Sequence, residues 1–115
     1  MQFTNHMHQR MSQRGCTKSM VEFALSEGSV RGDKYIINRK TTQKYLSNID
    51  NKIKNLRWRL QEKNQTSYQE ILNELHELQK SRRIALKILD KGGITVVLDG
   101  EDLITTYNIN SFKRC

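Results

Sequence analysis

Proline is absent from this 115-residue chain, tryptophan occurs once and cysteine only twice. With no pyrrolidine ring to preset a turn, chain reversals rest on glycine, asparagine and aspartate. Cys16 and Cys115 are too few for a disulfide framework and read as reduced thiols. No Cys or His pair has zinc-ligand spacing, and His6 and His8, two apart, diverge on a helix. The chain is therefore expected to use no metal and no cofactor. No apolar run approaches the ~18–20 residues that cross a bilayer, and residues 1–20 are too polar for a signal peptide. Those absences lead to the expectation of a cytoplasmic protein without a membrane partner. Carboxylates are scarce as well: 12 Asp and Glu stand against 20 Lys and Arg, a formal net charge of +8. That excess favours a polyanion such as nucleic acid, an anionic surface or an acidic protein.

What is present is periodicity. Hydrophobic residues make up only 36% of the chain, yet they recur at regular steps, which argues against disorder. The length fits one domain over residues 1–115, able to bury about 65–70% of its unfolded surface. Thr4 can cap a helix running to about Arg14 and ended by Gly15; Thr17 can cap a second, ended by Gly28. Lys34 to Asn38 reads as a strand, with Arg31-Gly32-Asp33 as its lead-in turn. From Thr41 to Leu60, apolar residues fall at three- and four-residue steps, and Lys63-Asn64-Gln65 breaks the pattern. Ser67 and Glu70 have capping-box spacing for a further helix towards Leu89. The pair predicts an antiparallel helical hairpin over about 41–89. Its first arm is mostly basic (Lys44, Lys52, Lys54, Arg57, Arg59) and its second more acidic (Glu70, Glu74, Glu77). Trp58 lies one step off the apolar stripe, placed either as a lid over the sheet or as a partner contact. Ile94 to Leu98 and Leu103 to Ile109 read as two strands joined by the turn 99–102.

The opening helix carries the most suggestive pattern. His6, Arg10 and Arg14 recur every four residues and share one helical face, while Phe3, Met7 and Met11 form an apolar stripe beside it. An imidazole moves protons near neutral pH, and guanidiniums bind phosphate bidentately. Metal-independent RNA cleavage by 2′-OH attack needs a base, an acid and cations around the phosphorane charge. In that scheme His6 is the proton carrier and Arg10 and Arg14 are the clamp. Tyr107 is the candidate second proton-transfer group, on the Thr105/Tyr107 face of its strand; Thr105, Lys34 and Arg39 are candidate substrate contacts. The competing reading of the same residues is a solvated, ordering His6 and structurally paired arginines. The function is then a non-catalytic nucleic-acid- or protein-binding module, with the hairpin as a docking or homodimerisation arm.

The run Phe3-Thr-Asn-His-Met-His-Gln-Arg-Met-Ser-Gln-Arg-Gly15 resembles the opening helix of small bacterial domains of the DUF4258 type and of BrnT-like toxins. Phe3, Thr4, His6, Arg10, Met11, Arg14 and Gly15 carry the resemblance, and Ile104-Thr105-Thr106-Tyr107 resembles the family's closing strand. Those domains are grouped with the barnase–EndoU–colicin–RelE ribonucleases. The resemblance implies an α+β fold: two short helices, then a small antiparallel sheet of three to four strands. Here a long antiparallel helical hairpin is inserted into it. It also implies a metal-independent endoribonuclease toxin acting on RNA, with an acidic antitoxin or immunity protein as partner.

Overall fold

The computed structural model describes residues 2–62 and 67–109. The class is α+β, with four helices and one five-stranded sheet. In chain order the elements are β1 (Gln2–Phe3), α1 (Asn5–Arg14), α2 (Lys18–Glu27), β2 (Ser29–Arg31) and β3 (Lys34–Asn38). Then follow α3 (Arg39–Leu60), α4 (Tyr68–Asp90), β4 (Gly93–Asp99) and β5 (Asp102–Asn108). The strand order is β1-β5-β4-β3-β2. Neighbours are antiparallel except β1, which pairs parallel with β5 through Gln2–Asp102 and Phe3–Leu103.

The expected sheet of three to four antiparallel strands is thus corrected to five strands of mixed direction. Two short edge segments account for the difference. Ser29–Arg31, of which Arg31 is expected in the lead-in turn and Ser29 and Val30 in no element, pairs with β3, and Gly32-Asp33 alone makes the reversal. Phe3, expected on the helix stripe, lies in β1 instead. Strands of two and three residues carry almost no alternation, so no period-2 signal marks them.

The helix ends follow their capping residues. The Thr4 hydroxyl accepts from the Met7 amide at 3.1 Å and donates to the Leu103 carbonyl at 2.9 Å, fixing α1 to β5. Gly15 closes α1 in the left-handed region at φ 62°, a position that glycine occupies without Cβ strain. Asn38 ends β3 and caps α3 in one step: its Oδ1 accepts from the Thr41 amide at 2.8 Å. That moves the start of α3 forward from Thr41 to Arg39. Ser67 precedes α4, but its side chain makes no capping hydrogen bond, so the expected capping box with Glu70 is not formed. The expected break at Lys63-Asn64-Gln65, and the Cys115 thiol, lie outside the described residues.

β3 and β4 are adjacent antiparallel strands, so α3 and α4 occupy what would otherwise be a hairpin turn. The predicted insertion therefore runs over 39–90. The chain re-enters the sheet at Gly93, where an added Cβ would lie 2.3 Å from the Ile37 carbonyl oxygen. No other residue type fits that approach at φ +103°.

Two apolar clusters result. The first joins Met7, Met11, Met20, Val21 and Ala24 of α1 and α2 to Ile37, Ile94, Val96, Leu98 and Leu103 of one sheet face. Ala85 and Ile88 of α4 complete it. The second lies within the hairpin: Ile49, Ile53 and Leu56 against Ile71 and Leu75. Tyr45 touches both, and its ring meets Phe23 edge-on at 4.7 Å. The hairpin is rooted on the sheet layer and continues past it on a core of its own, in a molecule measuring 54 × 30 × 24 Å.

Candidate functional site

The sheet divides the residues singled out above into two groups. Thr106 lies beneath α1, its Oγ1 3.9 Å from the Cys16 Sγ and donating to the Thr95 carbonyl at 3.0 Å. The Asn108 amide donates to the Arg14 carbonyl at 3.4 Å. These contacts place Thr106 and Asn108 on the helix-covered face. Strand alternation then turns Thr105 and Tyr107 to the opposite face. Their cross-strand rows confirm the assignment: Thr105 sits opposite Val97, which sits opposite Lys34, and Tyr107 opposite Thr95, which sits opposite Ile36. None of these four intervening and flanking partners belongs to the core under α1 and α2. The Thr105/Tyr107 face is therefore not the one that α1 packs on. His6, Arg10 and Arg14 do not share a cleft with Tyr107.

Within α1 the expected neighbours do meet. Arg10 Nε donates to His6 Nε2 at 3.4 Å, and Arg10 Nη1 to Gln13 Oε1 at 3.0 Å, all on exposed surface. The imidazole lone pair that would act as base is engaged by a guanidinium. Arg14 stands apart from that pair. Its carbonyl accepts from Lys91 Nζ at 2.8 Å as well as from Asn108, and its Nε is buried without a hydrogen-bond partner among the described residues. A lysine on the final carbonyls of a helix is a favourable charge–dipole contact. Arg14 thus anchors the end of α1 to α4 and β5. Neither Arg10 nor Arg14 is ion-paired to Glu22 or Glu27 among the described residues.

Lys34, Thr105 and Tyr107 do share the sheet face opposite α1, with Arg31 paired opposite Lys34. Arg39 opens α3 beyond the other end of β3. Five residues of extended chain separate it from Lys34, roughly 16 Å. The predicted substrate contacts are thus spread along a strand rather than gathered.

A pronounced concave surface lies elsewhere. A groove of about 960 Å³ runs along one flank of the α3–α4 hairpin. Lys54, Arg57 and Trp58 of α3 form one wall; Gln79, Arg82 and Arg83 of α4 form the other. Trp58 is 69% exposed and lies on this wall, which corrects its placement as a lid over the sheet. Among the described residues the groove is lined by four cations and one carboxylate, Asp50, whose Oδ1 accepts from Arg82 Nε at 2.7 Å. The acidic residues of α4 are elsewhere on its circumference. At 100° per residue, Glu70, Glu74 and Glu77 lie roughly 140–160° from the centre of the Gln79/Arg83 stripe. The negative charge of the second arm is therefore on the opposite flank. The spacing Lys54, Arg57, Trp58 was visible as one turn of helix; its meeting with Arg82 and Arg83 depends on how two helices 20 or more residues apart in sequence align.

Among the described residues no group of three His, Cys, Asp or Glu side chains is placed to hold a metal ion. No described helix is long and apolar enough to cross a membrane. Compared with family models, with curated proteins and with solved structures, the chain matches none.

Proposed function

We propose that this protein is a nucleic-acid-binding module that holds a polyanion, RNA in the first instance, in the groove of its helical hairpin. One observation carries this reading: an exposed tryptophan stands among Lys54, Arg57, Arg82 and Arg83, with the one local carboxylate already engaged by Arg82. The net charge of +8 supports it by drawing polyanions to the molecule as a whole.

Binding of a short labelled RNA, followed by anisotropy over a range of salt, is the test. Lys54, Arg57 and Arg83, which have no ion pair among the described residues, contacting about three phosphates give a slope of log K against log salt near −2. The charge reversals Arg57→Glu and Arg83→Glu should each shrink that slope and weaken binding. An RNA that does not bind, or binds the reversed variants equally well, overturns the proposal. In that event an acidic protein becomes the occupant to seek.

A second reading, endoribonuclease action, draws support from the His6–Arg10 contact on open surface. The second proton-transfer group expected for it, Tyr107, faces the other side of the sheet. Cleavage of RNA in excess EDTA that is lost in His6→Ala and Arg10→Ala supports this reading; uncleaved RNA removes it.

A further inference from the structure

We infer that the hairpin groove takes single-stranded nucleic acid, with a base stacked on Trp58 and the adjoining phosphates on Lys54, Arg57 and Arg83. This deepens the binding reading above and rests on it. Three features lead from a polyanion in general to a single strand.

The first is shape. A lone helix of about 10–12 Å diameter can enter a major groove of about 12 Å, but two helices packed side by side cannot. The cations line a concavity between α3 and α4, whereas a duplex is convex and would touch only its rims. An unpaired strand, narrower and flexible, can lie along it.

The second is chemistry. Trp58 leaves most of a large apolar ring in water, 69% exposed, in a groove that it shares with the guanidiniums of Arg57, Arg82 and Arg83. A base offers its π-face only when it is not stacked inside a duplex, and such a face on an aromatic platform contributes about 1–3 kcal/mol. Asn55, Gln61 and Gln79 also line the groove. Their amides can donate to and accept from base edges, groups that a base-free polyanion lacks.

The third is charge placement. Lys54, Arg57 and Trp58 occupy one turn of α3, so cation and ring project together, as backbone and base do along a strand. Asp50 is held by Arg82 and does not face the strand as a free anion.

Trp58 is the chain's one tryptophan, so its emission reports this groove alone. The experiment titrates the full chain with an oligouridylate, a mixed-sequence RNA duplex of equal length, inorganic polyphosphate and uridine monophosphate. Emission and salt dependence are both followed. The expected result is quenching by the oligouridylate, with affinity at least tenfold above the duplex. Polyphosphate should bind without quenching, and the mononucleotide far more weakly than the strand. Trp58→Ala should lose about 5- to 100-fold in oligouridylate affinity, followed by anisotropy, while Trp58→Phe retains most of it. Because Trp58 is exposed, both variants should keep the helical signal of the parent, checked by circular dichroism. Equal binding of duplex and strand, or of Trp58→Ala and parent, overturns the single-strand inference and leaves the nucleic-acid reading standing. So does polyphosphate as tight as the strand, or a mononucleotide that matches it. Failure of every nucleic acid to bind overturns both.

Discussion

Cys16 shows how one residue is made inert by its place. It is buried at the junction of α1, α2 and β5, beside the Thr106 hydroxyl. Burial pushes its thiol above the ordinary value of 9.0; the Thr106 contact and the Lys91 charge only partly oppose that rise. A raised folded value means that folding favours the neutral thiol. Its contribution to stability is full below the unfolded value and is lost as pH rises through the folded one. In a Cys115→Ser background, Cys16 should react with thiol reagents at least tenfold more slowly in the folded than in the urea-unfolded chain at neutral pH. Unfolding free energy should fall above pH 9.0, and Cys16→Ala should lose part of that fall. Equal reactivity in both states would show the thiol to be accessible. Tyr45, half-buried at the root of the hairpin, is raised for the same principal reason, burial, and adds to the alkaline loss at higher pH.

At the scale of elements, α1 and the hairpin do different work. α1 is a packing element whose exposed strip holds the His6–Arg10 pair, and its ends are tied by Thr4 to β5 and by Lys91 to α4. Its boundaries were legible because Thr4, Gly15 and Thr17 are capping residues that act locally. The face on which it lies was not. A register irregularity at Val97/Leu98 places Leu103 opposite Leu98 but Thr105 opposite Val97. This lets Leu103 and Thr106 both face the core, three residues apart, and leaves Thr105 and Tyr107 outside. A bulge of that kind has no alternation signature in the sequence. In the hairpin, the Arg82–Asp50 pair is about half exposed on both sides, and such surface pairs contribute about 0–1 kcal/mol. Asp50→Asn should therefore leave the urea midpoint nearly unchanged while tightening RNA binding and steepening its salt dependence. Weaker binding by Asp50→Asn would mean that Arg82 needs its carboxylate to be correctly aimed.

For the whole molecule, the division into two apolar clusters bridged by Tyr45 sets how it opens. The outer hairpin is held by five buried residues of its own, whereas the sheet layer draws on α1, α2 and both ends of the insertion. Hydrogen exchange should show lower protection over the outer turns of α3 and α4 than over β3 and β4. Leu75→Ala should cost about 2–5 kcal/mol, expressed as faster exchange in the hairpin while the sheet amides change less. Uniform acceleration across the chain would instead show one cooperative unit. Local chemistry determined much of this protein from the sequence alone: the caps of α1 and α2, the 3.6-residue stripes of α3 and α4, the strands at 34–38 and 94–98, and the cationic excess. Each depends on residues within a turn or two of one another. Tertiary structure decided which sheet face Tyr107 occupies, that β1 joins β5 in parallel, and that Trp58 shares a groove with Arg82 and Arg83. Those outcomes depend on register and packing between segments far apart in the chain, where cross-chain burial and hydrogen bonding, rather than neighbouring residues, choose the arrangement.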